Sequence, residues 1–185
     1  MRNLIFLAML LLSSCLVYHG GYFAKPSKTK PSLPCRIDGA YYAVWHHRTY
    51  QMFMYIFLYR NGEVLEIDYS TPASLADDPD SVRRVIARDM TEPYRNHIEP
   101  FYGGFALSGD TVRIQYLHYL SQLRYKTATW KGKVVNDSTI DIYVLGIPRE
   151  PQLDMPSVHL HFLPMNKPDS LAHNPWKHKR WYWKA

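Results

Sequence analysis

Between residues 40 and 163 the apolar positions mostly recur with a period of two, the spacing at which successive side chains leave opposite faces of a β-strand. Ala40 to Trp45 is aromatic and β-branched, and Met52 to Tyr59 is an unbroken apolar run. Val64 to Tyr69 alternates, which predicts Leu65, Ile67 and Tyr69 inward with Glu66 and Asp68 outward. Phe105 to Leu107 and Thr111 to Tyr116 follow, the latter with Val112, Ile114 and Tyr116 on one face. Tyr125 to Val135 places Ala128, Trp130, Gly132 and Val134 together, and Thr139 to Leu145 does the same with Ile140, Ile142 and Val144. Val158 to Leu163 supplies a last strand.

The polar interruptions are turn-forming residues. Asn61-Gly62 lies between two apolar runs, the signature of a type I′ hairpin turn whose two central residues both need positive φ. Ser108-Gly109-Asp110 and Asn136-Asp137-Ser138 mark two further hairpins. One stretch changes period. Val82, Val85, Ile86 and Met90 form a helical stripe, with Asp78 as its N-cap, Pro79 at the first position and Asp80 at the positive end of the dipole. Arg83, Arg84 and Arg88 lie off that stripe, and the helix is expected near 79–89, ending before Pro93.

About eight strands joined mostly by short turns imply an antiparallel up-and-down meander. Eight strands suffice to close a small barrel, so the fold class is mainly β: a barrel or strongly curled sheet with one helix. The aromatic content, 15% of 185 residues, suits strands, and 46% hydrophobic residues provide a core and exclude wholesale disorder. Two cysteines exclude a disulfide-rich scaffold.

The phrase Gly103-Gly104-Phe105-Ala106-Leu107-Ser108-Gly109-Asp110-Thr111-Val112-Arg113-Ile114 resembles a recurrent pattern of small lipocalin-like bacterial lipoproteins. Its companion is Trp130-Lys131-Gly132-Lys133-Val134 followed by Asp137-Ser138-Thr139-Ile140-Asp141-Ile142. The resemblance spans about residues 38–163 and implies a lipocalin-like barrel. The first-strand Gly-x-Trp of true lipocalins is replaced here by Gly39-Ala40-Tyr41-Tyr42, with Trp45 six residues after Gly39.

The amino terminus carries an address. Arg2 precedes the apolar run Leu4 to Leu12, which is shorter than the roughly 20 residues that span a bilayer and reads as a secretory signal. Leu12-Ser13-Ser14-Cys15 resembles the lipobox of bacterial lipoproteins. That resemblance implies cleavage before Cys15 and attachment there of diacylglycerol and an N-acyl chain such as palmitate. Several acyl chains give durable anchoring, at about 0.8 kcal/mol per buried methylene. Leu16 in the following position implies sorting to the outer membrane, at its periplasmic face.

The organisation expected is therefore a signal peptide (1–14), a lipidated terminus and flexible linker rich in Gly, Pro, Lys, Ser and Thr (15–37), a β-domain (38–172) and a basic aromatic tail (173–185). The net charge of +6 is unevenly spread. Segment 38–172 holds thirteen basic and all sixteen acidic residues, whereas both flanks are basic without an acid. Basic residues beside a lipid anchor face anionic headgroups, and export removes nucleic acid as a partner.

Candidate chemistry is sparse. His159 and His161 share one strand face and are weak metal candidates, because a third ligand would have to come from elsewhere and Val158, Leu160 and Phe162 claim the apolar face. The chain has no nucleophile elbow, zinc-protease, P-loop or dinucleotide motif, so no catalytic residues, metal or bound cofactor are assigned and no enzyme activity is expected. In the tail, Trp176, Lys177, Lys179, Arg180, Trp181 and Trp183 combine indoles and cations, the residue types that favour a membrane–water interface. The expected function is a lipid-anchored, non-enzymatic barrel that binds a small apolar ligand or an envelope protein. The alternatives are an accessory subunit of an envelope complex with a filled barrel and, less favoured, a metal-assisted enzyme using the histidines.

Overall fold

The computed structural model describes residues 23–24, 34–47, 50–71, 78–91, 100–121, 124–146, 157–168 and 183–184. Eight antiparallel strands close into a barrel: β2 (Gly39–His47), β3 (Tyr50–Leu58), β4 (Glu63–Thr71), β5 (Phe101–Ser108), β6 (Thr111–Ser121), β7 (Arg124–Asn136), β8 (Thr139–Gly146) and β9 (Val158–Pro164). Each pairs with its neighbour in sequence, and β9 returns to β2 with Phe162 opposite Tyr41. This is the up-and-down meander expected, with every edge paired by closure. Among the described residues there is one helix, α1 (Pro79–Thr91), two residues longer than the sequence predicts. A separate parallel pair joins β1 (Phe23–Ala24) to β10 (Trp183–Lys184).

The strand parity sorts the buried residues into two cores. Even positions of β3, β6, β7, β8 and β9 and odd positions of β2 and β5 meet inside the barrel, among them Tyr41, Met54, Ile114, Trp130 and Leu160. The opposite faces of β2, β3 and β4 form a second core outside the barrel, with Tyr42, Phe53, Tyr55, Phe57, Leu65 and Ile67 beneath α1. Helix α1 lays Val82 and Ile86 on that surface. Asp78 caps it, its Oδ1 accepting from the Asp80 and Ser81 amides at 3.1 and 2.9 Å. These bonds favour the charged carboxylate and hold Asp78 below its ordinary range. Arg83 and Arg84 stay in solvent, as the stripe predicts.

Two expectations are corrected here. Leu65 and Ile67 are buried, but outside the barrel beneath α1, whereas Glu66 points inward and is 0% exposed. The register requires it, since Glu66 pairs with the interior residue Ile56. The β3–β4 hairpin also differs from a two-residue type I′ turn. The Gly62 amide donates to the Tyr59 carbonyl and the Tyr59 amide to the Glu63 carbonyl, which leaves a three-residue loop. Arg60 and Asn61 are then the central residues of the turn, and Gly62, at φ 83°, takes the left-handed position that follows it. Asn61 completes the loop, accepting from the Glu63 amide and donating to its carboxylate.

The barrel end that carries the β3–β4, β5–β6 and β7–β8 turns is shut by residues 34–38. Cys35 and Ile37 join the interior core. The Arg36 amide donates to the Asp137 carbonyl, and the Tyr41 hydroxyl donates to the same oxygen at 2.9 Å. Lys167 donates to the carbonyls of Ile37 and Leu58 with its ammonium 4.6 Å from the Tyr59 ring centre, so one cation ties three segments together. Gly103 meets a different demand: a Cβ there would run into the Gln115 carbonyl, so only glycine lets β5 approach β6 this closely.

Candidate functional site

The interior is aliphatic near the closed end. Ile56, Leu58, Val112, Ile114, Ile140 and Leu160 are fully buried there. Polar atoms enter on β4. Glu66 is sealed from solvent, and among the described residues neither of its carboxyl oxygens has a hydrogen-bond partner. Burial is the main cause, and the negative charge of Asp68 the lesser one, that pushes its carboxyl well above the ordinary glutamate range. An ionised carboxylate there would lack both water and a counter-charge, so the neutral acid is the favoured form. Asp68, two residues on and therefore on the same strand face, is exposed, which marks the direction of solvent.

Aromatic rings lie beside this acid. Phe101 stands directly opposite Glu66 across β4 and β5. Tyr116 lies 5.5 Å from Phe101 and 5.1 Å from Trp130 between ring centres, the second pair edge-to-face at 84°. Burial, then the charges of Glu66 and Asp68, push the Tyr116 phenol well above its ordinary range, opposed by a hydrogen bond with Trp130. The Trp45 Nε1–H is a second buried group without a hydrogen-bond partner among the described residues. Trp45 pairs with Met52 on β3, and its neighbour on that face, Met54, pairs with Asp68 on β4. The site therefore combines a neutral acid, a phenol and a cluster of aromatic rings, and the Trp45 indole donor belongs to the same barrel interior further along the strands.

At the closed end, Cys35 and Tyr41 form a smaller polar pair through a side-chain hydrogen bond. Burial pushes both the thiol and the phenol up. Cys35 is thus a protonated packing residue, and low-pKa thiolate chemistry does not apply to it.

The sequence-predicted residues lie elsewhere. His159 and His161 are exposed on the outer face of β9. His159 Nδ1 meets Asp141 Oδ1 at 2.6 Å, and the His161 ring lies 6.2 Å from that of Tyr42. Among the described residues no three His, Cys, Asp or Glu side chains gather as a metal site. Cys15, Trp176, Lys177, Lys179, Arg180 and Trp181 fall outside the described residues, and Trp183 enters only through the backbone pairing of β10. Among the described residues no helix is long and apolar enough to cross a membrane.

Glu66, Trp45 and Tyr116 were not singled out as site residues by sequence reasoning. A signal for Glu66 was present in its hairpin partner: Met52 to Tyr59 is apolar on both faces, and a strand paired with it is itself covered on both. No protein-family model, curated protein sequence or solved structure matches the chain.

Proposed function

We propose that this protein is a non-enzymatic lipoprotein, anchored through acylated Cys15 at the periplasmic face of an outer membrane, whose barrel binds a small, largely apolar molecule with one polar group. The observation that carries the binding role is the sealed Glu66 carboxyl, neither of whose oxygens has a hydrogen-bond partner among the described residues. An unsatisfied buried polar group costs roughly 1–3 kcal/mol, a cost that a ligand's polar group offsets by pairing with it. The apolar remainder of the interior suits the ligand's body. The anchor is supported by Leu12-Ser13-Ser14-Cys15 behind a charged and apolar leader.

A filled barrel that serves as an accessory subunit is the second reading. It draws on the fully packed aliphatic end and on Val135 and Tyr143, which stand 52% and 54% exposed on β7 and β8. Titration with a bromine-labelled long-chain alcohol separates the two, because bromine quenches tryptophan on contact and Trp45 and Trp130 belong to the interior core. Saturable quenching that weakens in a Trp130→Phe variant supports ligand binding, and its absence favours the filled barrel. For the anchor, labelling with a radioactive fatty acid is expected in the natural protein and lost in Cys15→Ser. Label retained by Cys15→Ser would end the lipoprotein reading.

A further inference from the structure

The chemistry around Glu66 narrows the kind of molecule that fits. Among the described residues neither oxygen of the acid has a partner, and it lies within reach of the field of Asp68. Phe101 is the cross-strand partner of Glu66, and Tyr116 and then Trp130 continue a ring cluster from it, at 5.5 and 5.1 Å between successive centres. A carboxyl beside an aromatic cluster attracts an ammonium ion, since the cation gains from ring and carboxylate together. An anionic head would meet Asp68 and the same ring faces with the wrong sign.

We propose that the interior site at Glu66 takes an alkylammonium amphiphile, its cationic head between Glu66 and the Phe101–Tyr116–Trp130 rings and its chain against the apolar interior. This rests on the reading of the barrel as a ligand site and specifies the ligand's class. The head arrives protonated, and Glu66, neutral in the free protein, gives its proton to solvent as it becomes the counter-ion. Binding near neutral pH therefore releases up to one proton per ligand. The other titratable groups described near the acid are Asp68 on its own strand and Tyr116 on β6, while Ile56 and Phe101, directly opposite on β3 and β5, do not titrate. In the backbone register His118 lies opposite Lys126, two residues along from the Tyr116 and Ala128 pair.

Calorimetry on the full chain with dodecylamine, dodecanol and dodecanoate, each below its aggregation concentration, tests this. Dodecylamine is expected to bind at least about tenfold tighter than either of the others, the order of one cation–π contact added to an ion pair. Its heat should vary with the ionisation enthalpy of the buffer, reporting a released proton at pH 7. Glu66→Gln should remove both the preference for dodecylamine and the proton release. Equal or tighter binding of dodecanol or dodecanoate, or dodecylamine binding by the natural protein without proton release, overturns the proposal yet keeps the barrel as a ligand site. Binding of none of the three overturns both readings. Proton release is measured on the natural protein, so the test stands even if Glu66→Gln fails to fold.

Discussion

Glu66 and Phe101 are directly opposed across β4 and β5, an acid sealed from solvent and a ring packed against the interior core. The burial of Glu66 gives the fold a pH response. Glu66 is held neutral when folded and has an ordinary value, about 4.3, when unfolded. Above that value the native state retains a proton that the unfolded chain has lost, so stability falls as pH rises until the native value is passed. Glu66→Gln keeps the shape without the proton. Urea unfolding midpoints from pH 5 to pH 9 should decline more steeply in the natural protein than in Glu66→Gln. Parallel declines would mean that Glu66 is ionised or paired inside.

The hairpin glycine supplies a second expectation. Gly62 adopts φ 83°, a region costly for any side chain and most for a β-branched one. Gly62→Val should lower stability by about 1–3 kcal/mol, read as a lower denaturation midpoint at an unchanged slope. A loss no larger than that of an exposed strand substitution would show that the loop relaxes at little cost.

Lys167 reaches two carbonyls from separate segments and the face of Tyr59. Lys167→Met keeps the stem and removes the donor. Each charged hydrogen bond contributes about 1.5–3 kcal/mol, and solvent screening of this half-buried ammonium brings the expected loss to roughly 1–3 kcal/mol in total. Hydrogen exchange should rise first at the amides that seal the closed end, Arg36 and Phe162, which donate to the Asp137 and Ser138 carbonyls. Unchanged exchange there would assign the closure to Cys35 and Ile37 packing alone.

The tail yields the fourth. Residues 176–184 combine three tryptophans and four cations, and Trp183 and Lys184 run parallel to Phe23 and Ala24, a short stretch beyond Cys15. As a second membrane contact, the tail should let Cys15→Ser protein bind anionic vesicles, with only part of the binding lost at high salt, because indole burial is not screened as charge is. Truncation after Pro175 should abolish it. A truncated protein that binds vesicles equally well but melts at a lower temperature would make the tail a strap on the domain.

Strand positions, turn sites and the helix were legible in the sequence because each follows from local rules. Alternation in Val112, Ile114 and Tyr116 or in Val158, Leu160 and Phe162 has one apolar face, and one apolar face has one destination. Asp78 and Pro79 mark a helix start wherever they sit, and the Val82–Ile86 stripe needs a surface to cover. Turn type was less legible, because Asn-Gly is compatible with more than one loop length and the Tyr59–Glu63 bonding pattern selects among them.

Which face of β4 turns inward was decided only by the tertiary structure. Leu65 and Ile67 have two apolar destinations, the barrel interior and the underside of α1, and their periodicity is the same in either. The β3–β4 hairpin pairs Ile56 with Glu66 on one face, and barrel closure turns that face inward and commits the odd positions to the helix, because a one-residue slip would exchange the faces of the whole strand. The acid that carries the candidate site is buried by that closure. Its own neighbours in sequence, an alternation like that of any half-exposed strand, hold no trace of it.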